Sequence, residues 1–262
     1  MKLAGMQSYF LPYIGYFQLI EAVDKFILSS NLNYSNHGWI NRNRILIKNQ
    51  SIFTMTVPIK SASYKDSISS IRIDINSNWK KKLLRTIYTN YYGAKHFNDV
   101  YPFIENLLSN SYEYLFQLNN HIITNICRYI GIDTIIDFDN SNKYFELEKK
   151  LLGIDKSDYS QFQYMEKTRP EKKVARILEI CKTENATTYI NAIGGQKLYP
   201  NEEFSKYGIN LKFIQTEEFD YPQFSKDFVP NLSIIDVLMH NGSIETNKLL
   251  QKYTFVKSNS NT

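Results

Sequence analysis

Residues 2–28, KLAGMQSYFLPYIGYFQLIEAVDKFIL, contain the pattern that decides the fold class. Residues 2–6 predict a short strand, and residues 26–28 form an apolar run typical of a buried parallel strand. Between them, apolar side chains recur at the spacing of one helical face: Tyr16, Phe17, Leu19, Ile20 and Val23. A strand, a helix and a second strand in this order form the basic unit of α/β proteins.

In the middle of the chain, the apolar residues recur at a different spacing. Residues 53–57 and 71–75 alternate apolar and polar side chains, which predicts two half-buried strands. From Trp79 onward the apolar period becomes helical, and it remains so until Gly131, which can close the last helix. We therefore expect a helical insertion over about residues 79–130.

The C-terminal half returns to alternating strands and helices. Strands are predicted at residues 132–138, 187–190 and 211–214. Helices are predicted after the capping box around Pro170 and between Pro230 and Gly242. Arg176, on the polar side of the first of these helices, is expected to be solvated. The predicted fold class is α/β, a mostly parallel sheet flanked by helices, in a single domain of residues 1–255 with a frayed tail at 256–262.

Composition narrows the class of protein. The chain has 262 residues, a net charge of +5 and an aromatic share of 15%, enough to fill a core and line a groove. The positive charge is too dispersed to indicate a nucleic-acid partner. Cys127 and Cys181 are far apart, so we expect inert thiols and no metal site. No signal peptide or membrane-spanning run is visible, which predicts a cytoplasmic protein without membrane insertion.

Three segments resemble the signatures of one family. They are QSYFLPYIGYF at 7–17, WINRNRI at 39–45, and YPQ at 221–223 followed by DFVPNLSIID at 227–236. Their order and spacing resemble the WbqC-like family of bacterial surface-polysaccharide proteins over roughly residues 1–250. Ser8 and Tyr13 stand where the family usually has Pro and Trp, and Asn191-Ala192 stands where it commonly has Ser-Gly. The resemblance implies a role beside O-antigen or capsule synthesis, without specifying a reaction.

The first segment could bind a phosphate-bearing substrate. A strand, a loop and a helix N-terminus offer free N–H groups to an anion, which makes Gln7, Tyr9, Tyr13 and Gly15 candidate substrate-binding residues. Residues 13–16 occupy the place where a nucleotidyltransferase of the HIGH class would have His-x-Gly-His, but both His positions are Tyr here. The alternative is that the proline and glycine only shape a tight turn.

The second segment is dense in hydrogen-bond donors. Arg42 can grip a phosphate with two parallel hydrogen bonds, and Trp39 can stack on a sugar face. With Asn41 and Asn43 they complete a candidate substrate-binding set, for which a solvated, structurally capped loop is the alternative. His37, just upstream, is a candidate catalytic base, although a histidine on the surface more often has no role.

The third segment contributes acidic candidates. Asp236 lies four residues before His240 on one helical face, an arrangement in which a carboxylate can orient an imidazole. Asp236 and Asp227 are therefore candidate catalytic residues, and Asn231 is a candidate binding residue. Helix capping is the alternative for Asp227 and Asn231.

Two functions of different class follow. The first is a transferase that passes an acyl or similar group to a nucleotide-linked amino sugar, with an acyl-coenzyme A or acyl-carrier-protein thioester as donor. The second is a non-catalytic accessory protein that binds a glycan or a partner enzyme. The positions of five residues would distinguish the two functions: Gln7, Arg42, Asn43, Asp227 and Asp236. If they lie in one pocket, the enzyme is favoured. If they are dispersed in turns and helix caps, the accessory protein is favoured.

Overall fold

The computed structural model describes residues 1–48, 50–139, 143, 144, 147 and 170–257. They form a six-stranded sheet with helices on both faces and a separate two-stranded hairpin. The strands are β1 (Lys2–Gln7), β2 (Lys25–Ser29), β3 (Arg42–Leu46), β4 (Ile52–Thr56), β5 (Ile135–Phe138), β6 (Thr188–Ala192), β7 (Asn210–Thr216) and β8 (Tyr253–Lys257). The helices are α1 (Ile14–Glu21), α2 (Trp79–Tyr91), α3 (Phe97–Ser109), α4 (Leu115–Tyr129), α5 (Pro170–Thr183), α6 (Asn201–Lys206) and α7 (Ile234–Leu249).

The strand order β5-β2-β1-β6-β7-β8 contains one reversal of direction. From β1 the chain moves outward to β2 and β5, then returns to β6 on the other side of β1 and continues to β7. These five strands are parallel, and β8 is antiparallel to β7. β1 and β6 pair only at Lys2–Thr188 and Leu3–Tyr189, so their carboxyl ends separate. A crevice at such a reversal is the usual ligand site of open α/β sheets.

Alternation along the strands divides the core into two layers. Ala4 and Phe26 belong to the larger cluster, which includes side chains of α1, α2, α3, α4 and α7. Leu3 and Ile27, one position away, belong to the second cluster with side chains of α5 and α6. Successive strand residues point to opposite faces, so apolar runs at both positions require helices on both sides of the sheet. The predicted α/β class is therefore confirmed.

The helical insertion consists of α2, α3 and α4 between β4 and β5. Pro102 lies inside α3, and the predicted continuous helical stretch is interrupted between Ser109 and Leu115. The strand predicted at 71–75 does not form. Only isolated bridges occur there, and Ile75 is 66% exposed, because none of the strands in the described part of the chain runs alongside this segment.

The last helix differs from its prediction at both ends. It begins at Ile234 rather than near Pro230, with the Ser233 side chain accepting the Ile235 N–H at 3.3 Å. Gly242, at φ 71°, interrupts the helix, which then resumes to Leu249. A Cβ on Gly242 would lie 2.7 Å from Nδ1 of His96, so a side chain has no room at this kink.

Other expectations concern burial and location. Cys127 and Cys181 are buried, and burial raises the pKa of each thiol to about 12, as expected for inert cysteines. None of the helices in the described residues is long and apolar enough to cross a membrane. Of the tail predicted at 256–262, Val256 and Lys257 pair with β7 as the end of β8. Residues 258–262 and Thr168, the predicted cap before Pro170, lie outside the described residues.

Candidate functional site

A cleft of about 790 Å³ opens over the carboxyl ends of the parallel strands, where β1 and β6 separate. Its walls come from β1, β2, β6 and β7, from the loop after β1, from the β3–β4 hairpin and from α5. The size is within the range of small-molecule sites, and the position matches the reversal point of the sheet.

The loop after β1 is held in a strained conformation. Leu11 is fully buried at φ 44°, in the left-handed region that Leu rarely adopts. The side-chain amide of Asn43 donates to the carbonyls of Phe10 at 3.0 Å and Leu11 at 2.8 Å. The hydroxyl of Ser233 also donates to the Leu11 carbonyl at 2.8 Å. These bonds fix the loop that presents Tyr9 and Tyr13, which line the cleft.

Replacing Asn43 by alanine should lower the free energy of unfolding by roughly 1–3 kcal/mol, because the Phe10 carbonyl loses this donor and the Leu11 carbonyl keeps only Ser233. Urea denaturation followed by circular dichroism measures this change. Asn36→Ala, at an exposed position, is the matched control and should shift stability by less than about 0.5 kcal/mol. Equal effects from the two substitutions would show that Asn43 does not fix the loop.

Gly15 is required by close packing. A Cβ there would lie 2.4 Å from the Tyr13 ring and 2.9 Å from Oγ1 of Thr216. The Tyr13 ring therefore lies against the first turn of α1, and both residues line the cleft. Burial raises the pKa of the phenols of Tyr9 and Tyr13, so both hydroxyls stay protonated near neutral pH.

Of the two arginines in the β3 segment, Arg44 lines the cleft. Its guanidinium carbon lies 5.1 Å from the centre of the Trp39 ring, and its buried Nε has no hydrogen-bond partner among the described residues. The backbone carbonyl of Arg44 accepts the Ser233 N–H at 2.8 Å, which fastens the hairpin to the start of α7. Arg42 does not line the cleft, and its Nε donates to the Gly38 carbonyl at 3.1 Å.

Asn41 has a structural environment. It is buried, its Oδ1 accepts the Tyr34 hydroxyl at 3.0 Å, and its Nδ2 donates to the Val57 carbonyl at 3.1 Å. Its side chain does not line the cleft.

Asp236 is fully buried outside the cleft. Its carboxylate accepts hydrogen bonds from Tyr91 at 2.6 Å, Tyr221 at 2.8 Å and Gln223 at 3.0 Å. Burial raises the pKa of this carboxyl group despite the three donors. The bonds to Tyr221 and Gln223 secure the loop that carries Asn231, at φ 58°, to the edge of the cleft.

His240 forms no hydrogen bond with Asp236. Its Nε2 is buried without a hydrogen-bond partner in the described chain, and its ring packs 4.8 Å from Phe224. Burial lowers the pKa of His240, so the ring is neutral at physiological pH.

Some of the predicted catalytic and substrate-binding residues line the cleft, and the others lie elsewhere. The residues that line it are Gln7, Tyr9, Tyr13, Gly15, Trp39, Asn43 and Asn231. Those that do not are Asn41, Arg42 and the three catalytic candidates, Asp227, Asp236 and His37. Asp227 and His37 are exposed. Strand alternation places residues 42 and 44 on one face, so the pattern could also have indicated Arg44.

The cleft also contains residues that sequence reasoning missed. Arg176 was expected on a solvated face, but it is buried and pairs with the fully buried Asp139 at 3.0 Å. Asn191 lines the cleft at the end of β6. Nothing local in the sequence identifies these roles, since Asp139 lies 37 positions from its arginine. Among the described residues, no group of three or more His, Cys, Asp or Glu could hold a metal ion.

Comparison with known proteins identifies a family. The model of the WbqC-like protein family matches residues 7–248. The uncharacterized protein Rv1507c of Mycobacterium tuberculosis is 27% identical over 245 residues, which cover 92% of this chain and 94% of that protein. No solved structure matches the chain. The match includes the loop after β1, the β3 hairpin and α7, so this chain belongs to the WbqC-like protein family.

Proposed function

We propose that the cleft binds a nucleotide-activated sugar and that the protein is a cytoplasmic transferase of surface-polysaccharide biosynthesis. The observation that carries this proposal is Arg44. Arg44 lines the cleft, its guanidinium lies beside the Trp39 ring, and no acidic side chain of the described residues pairs with it. An arginine in this state is suited to a pyrophosphate, which it can contact with two parallel hydrogen bonds.

The surroundings of Arg44 favour the same class of ligand. Tyr9 and Tyr13 add neutral hydroxyl groups and aromatic surface for a ring to pack against. Arg176 adds a second cation to the lining, although Asp139 balances its charge. No carboxylate from the described residues lines the cleft, so an anionic ligand meets no repulsion there.

The reaction we propose is transfer of an acyl or similar group to an amino sugar. The amine nitrogen attacks the carbonyl of an acyl-coenzyme A or acyl-carrier-protein thioester, the C–S bond breaks, and the amine proton passes to the departing thiolate. In this scheme Arg44 and the tyrosines bind and orient the sugar nucleotide. An acyl carrier protein is then the proposed macromolecular partner.

A second function has its own support. The three acid–base candidates, Asp227, Asp236 and His37, all lie outside the lining of the cleft. A protein that only binds a nucleotide sugar, or a glycan made from it, needs no such group. The alternative is therefore a non-catalytic accessory protein of the same pathway.

Substituting Arg44 by glutamine tests the proposal. It should weaken binding of UDP, dTDP or GDP about 10- to 100-fold, because charge-assisted hydrogen bonds are lost. Isothermal titration calorimetry with each nucleoside diphosphate measures the change. Arg42→Gln is the matched control, because Arg42 lies near the same Trp39 ring without lining the cleft, and it should alter affinity by less than about twofold.

The outcomes separate the candidates. If the wild-type protein binds none of the three diphosphates, the cleft does not take nucleotide sugars. If Arg42→Gln weakens diphosphate binding as much as Arg44→Gln does, Arg44 is not the specific contact for the anion. Thioester consumption in the presence of a bound sugar nucleotide supports the transferase, and binding without consumption supports the accessory protein.

A further inference from the structure

The ends of β1 and β6 place two side-chain amides at the floor of the cleft. Leu3 pairs with Tyr189, and every second residue of a strand points to the same face. Gln7 and Asn191 therefore project toward the face that Leu3 and Tyr189 share. Both line the cleft where the two strands separate.

The amide of Asn191 has a fixed orientation. The side chain is only 8% exposed, and its Oδ1 accepts the Ala192 N–H at 2.8 Å. This bond leaves Nδ2 as a hydrogen-bond donor without a partner in the described chain. A Cβ on Gly195 would lie 2.5 Å from Nδ2, so a side chain at this position would displace the amide. Asn191 lines the cleft, so this N–H donor is available to a ligand there.

The amide of Gln7 has the complementary property. Its Nε2 donates to the Asn33 carbonyl at 3.3 Å, which leaves Oε1 as the group available to accept a hydrogen bond. A donor on β6 and an acceptor on β1 together match the C=O and the N–H of a secondary amide.

The charge of the lining favours the same group. Arg44 and Arg176 are the charged side chains that the described residues contribute to the cleft, and Arg44 is not balanced by a carboxylate of the described chain. A free amino sugar, which carries an ammonium, would meet this positive charge without a carboxylate from the described residues to offset it. The N-acylated form of the same sugar is neutral and keeps both an N–H and a C=O.

We propose that Gln7 and Asn191 form a subsite for the N-acyl amide of an acylated amino sugar, with Asn191 as the specificity-determining donor. This inference rests on the proposed binding of a nucleotide sugar. In the proposed transferase the amino sugar reacts as the neutral amine, and the subsite holds the amide that the reaction forms, so the product is bound more tightly than the protonated acceptor. In the accessory protein it selects a sugar that is already acylated.

The test first identifies which of UDP, dTDP and GDP the wild-type protein binds most tightly. It then compares three sugars attached to that diphosphate. Calorimetry at pH 7 should rank the conjugates of N-acetylglucosamine, glucose and glucosamine in that order of decreasing affinity. Asn191→Ala should weaken the N-acetylglucosamine conjugate about tenfold and leave the free diphosphate within about twofold. Asn191→Asp replaces the donor with a carboxylate and should reverse the order of the glucosamine and N-acetylglucosamine conjugates. Asn36→Asp, at an exposed position, is the charge-matched control and should preserve the wild-type order.

Each result has a defined meaning. Circular dichroism establishes that the variants are folded, and retained binding of the free diphosphate establishes that the rest of the cleft is intact. Diphosphate binding without discrimination among the three sugars overturns the subsite while the proposed function stands. A preference for glucosamine in the wild-type protein also overturns it. If no diphosphate and no conjugate binds, both proposals fail.

Discussion

Replacing Asp236 by alanine should lower the free energy of unfolding by roughly 3–5 kcal/mol, because two buried tyrosine hydroxyls lose their acceptor at about 1–3 kcal/mol each and a glutamine amide loses one of its two acceptors. These donors are Tyr91, Tyr221 and Gln223. The carboxylate joins α7 to the end of α2 and to the loop before α7, so its loss affects contacts between three segments. Urea denaturation followed by circular dichroism measures the change.

Asp227→Ala is the matched control, since Asp227 is an exposed aspartate on the same loop. It should change stability by less than about 0.5 kcal/mol. A loss of comparable size from both substitutions would contradict the buried role of Asp236. The proposed function depends on neither result, because neither side chain lines the cleft.

Asp236 should also affect how the stability of the protein depends on pH. Burial raises the pKa of its carboxyl group, so the folded protein binds this proton more tightly than the unfolded chain does. The contribution is fully present below the pKa of an unfolded aspartate and is lost as the pH rises through the raised folded pKa. Asp236→Asn should remove this decline, and an unchanged pH profile would show that another group causes it.

Replacing Asp139 by alanine is the second change with a large expected effect. The carboxylate is fully buried and accepts the Ser30 N–H at 2.7 Å, the Asn31 N–H at 3.1 Å and a guanidinium N–H of Arg176 at 3.0 Å. Removing it should cost roughly 3–5 kcal/mol, because a buried guanidinium loses this carboxylate and two backbone N–H groups lose their acceptor. Chemical denaturation of the purified variant measures the loss.

Asp137→Ala is the control from the same strand region. The Asp137 carboxylate pairs with Lys25 at 2.8 Å, but its side chain is 29% exposed, so the loss should be about 1 kcal/mol or less. Arg176→Met tests the pair from the other side. If Asp139→Ala were no more harmful than Asp137→Ala, the buried ion pair would not stabilise this side of the cleft.

The sequence by itself determined the fold class and the segments that build the cleft. Residues 2–28 contain a strand, a helix and a second strand in a period that local backbone geometry imposes. The loop after β1 and the β3 segment were also recognised as candidate binding segments, and both contribute to the lining. The prediction of a strand at 71–75 was wrong, because alternating apolar and polar residues form a half-buried strand only where a second strand can pair with them.

Only the tertiary structure decided which individual side chains face the cleft. Arg44 rather than Arg42 lines it, Asp236 is enclosed by two tyrosines and a glutamine, and Arg176 pairs with Asp139. Periodicity is a property of neighbouring residues, whereas a hydrogen-bond partner is set by contacts between segments far apart in the chain. Asp236 and Tyr91, separated by 145 positions, meet because α3 packs against both α2 and α7, and no local pattern in the sequence records that contact.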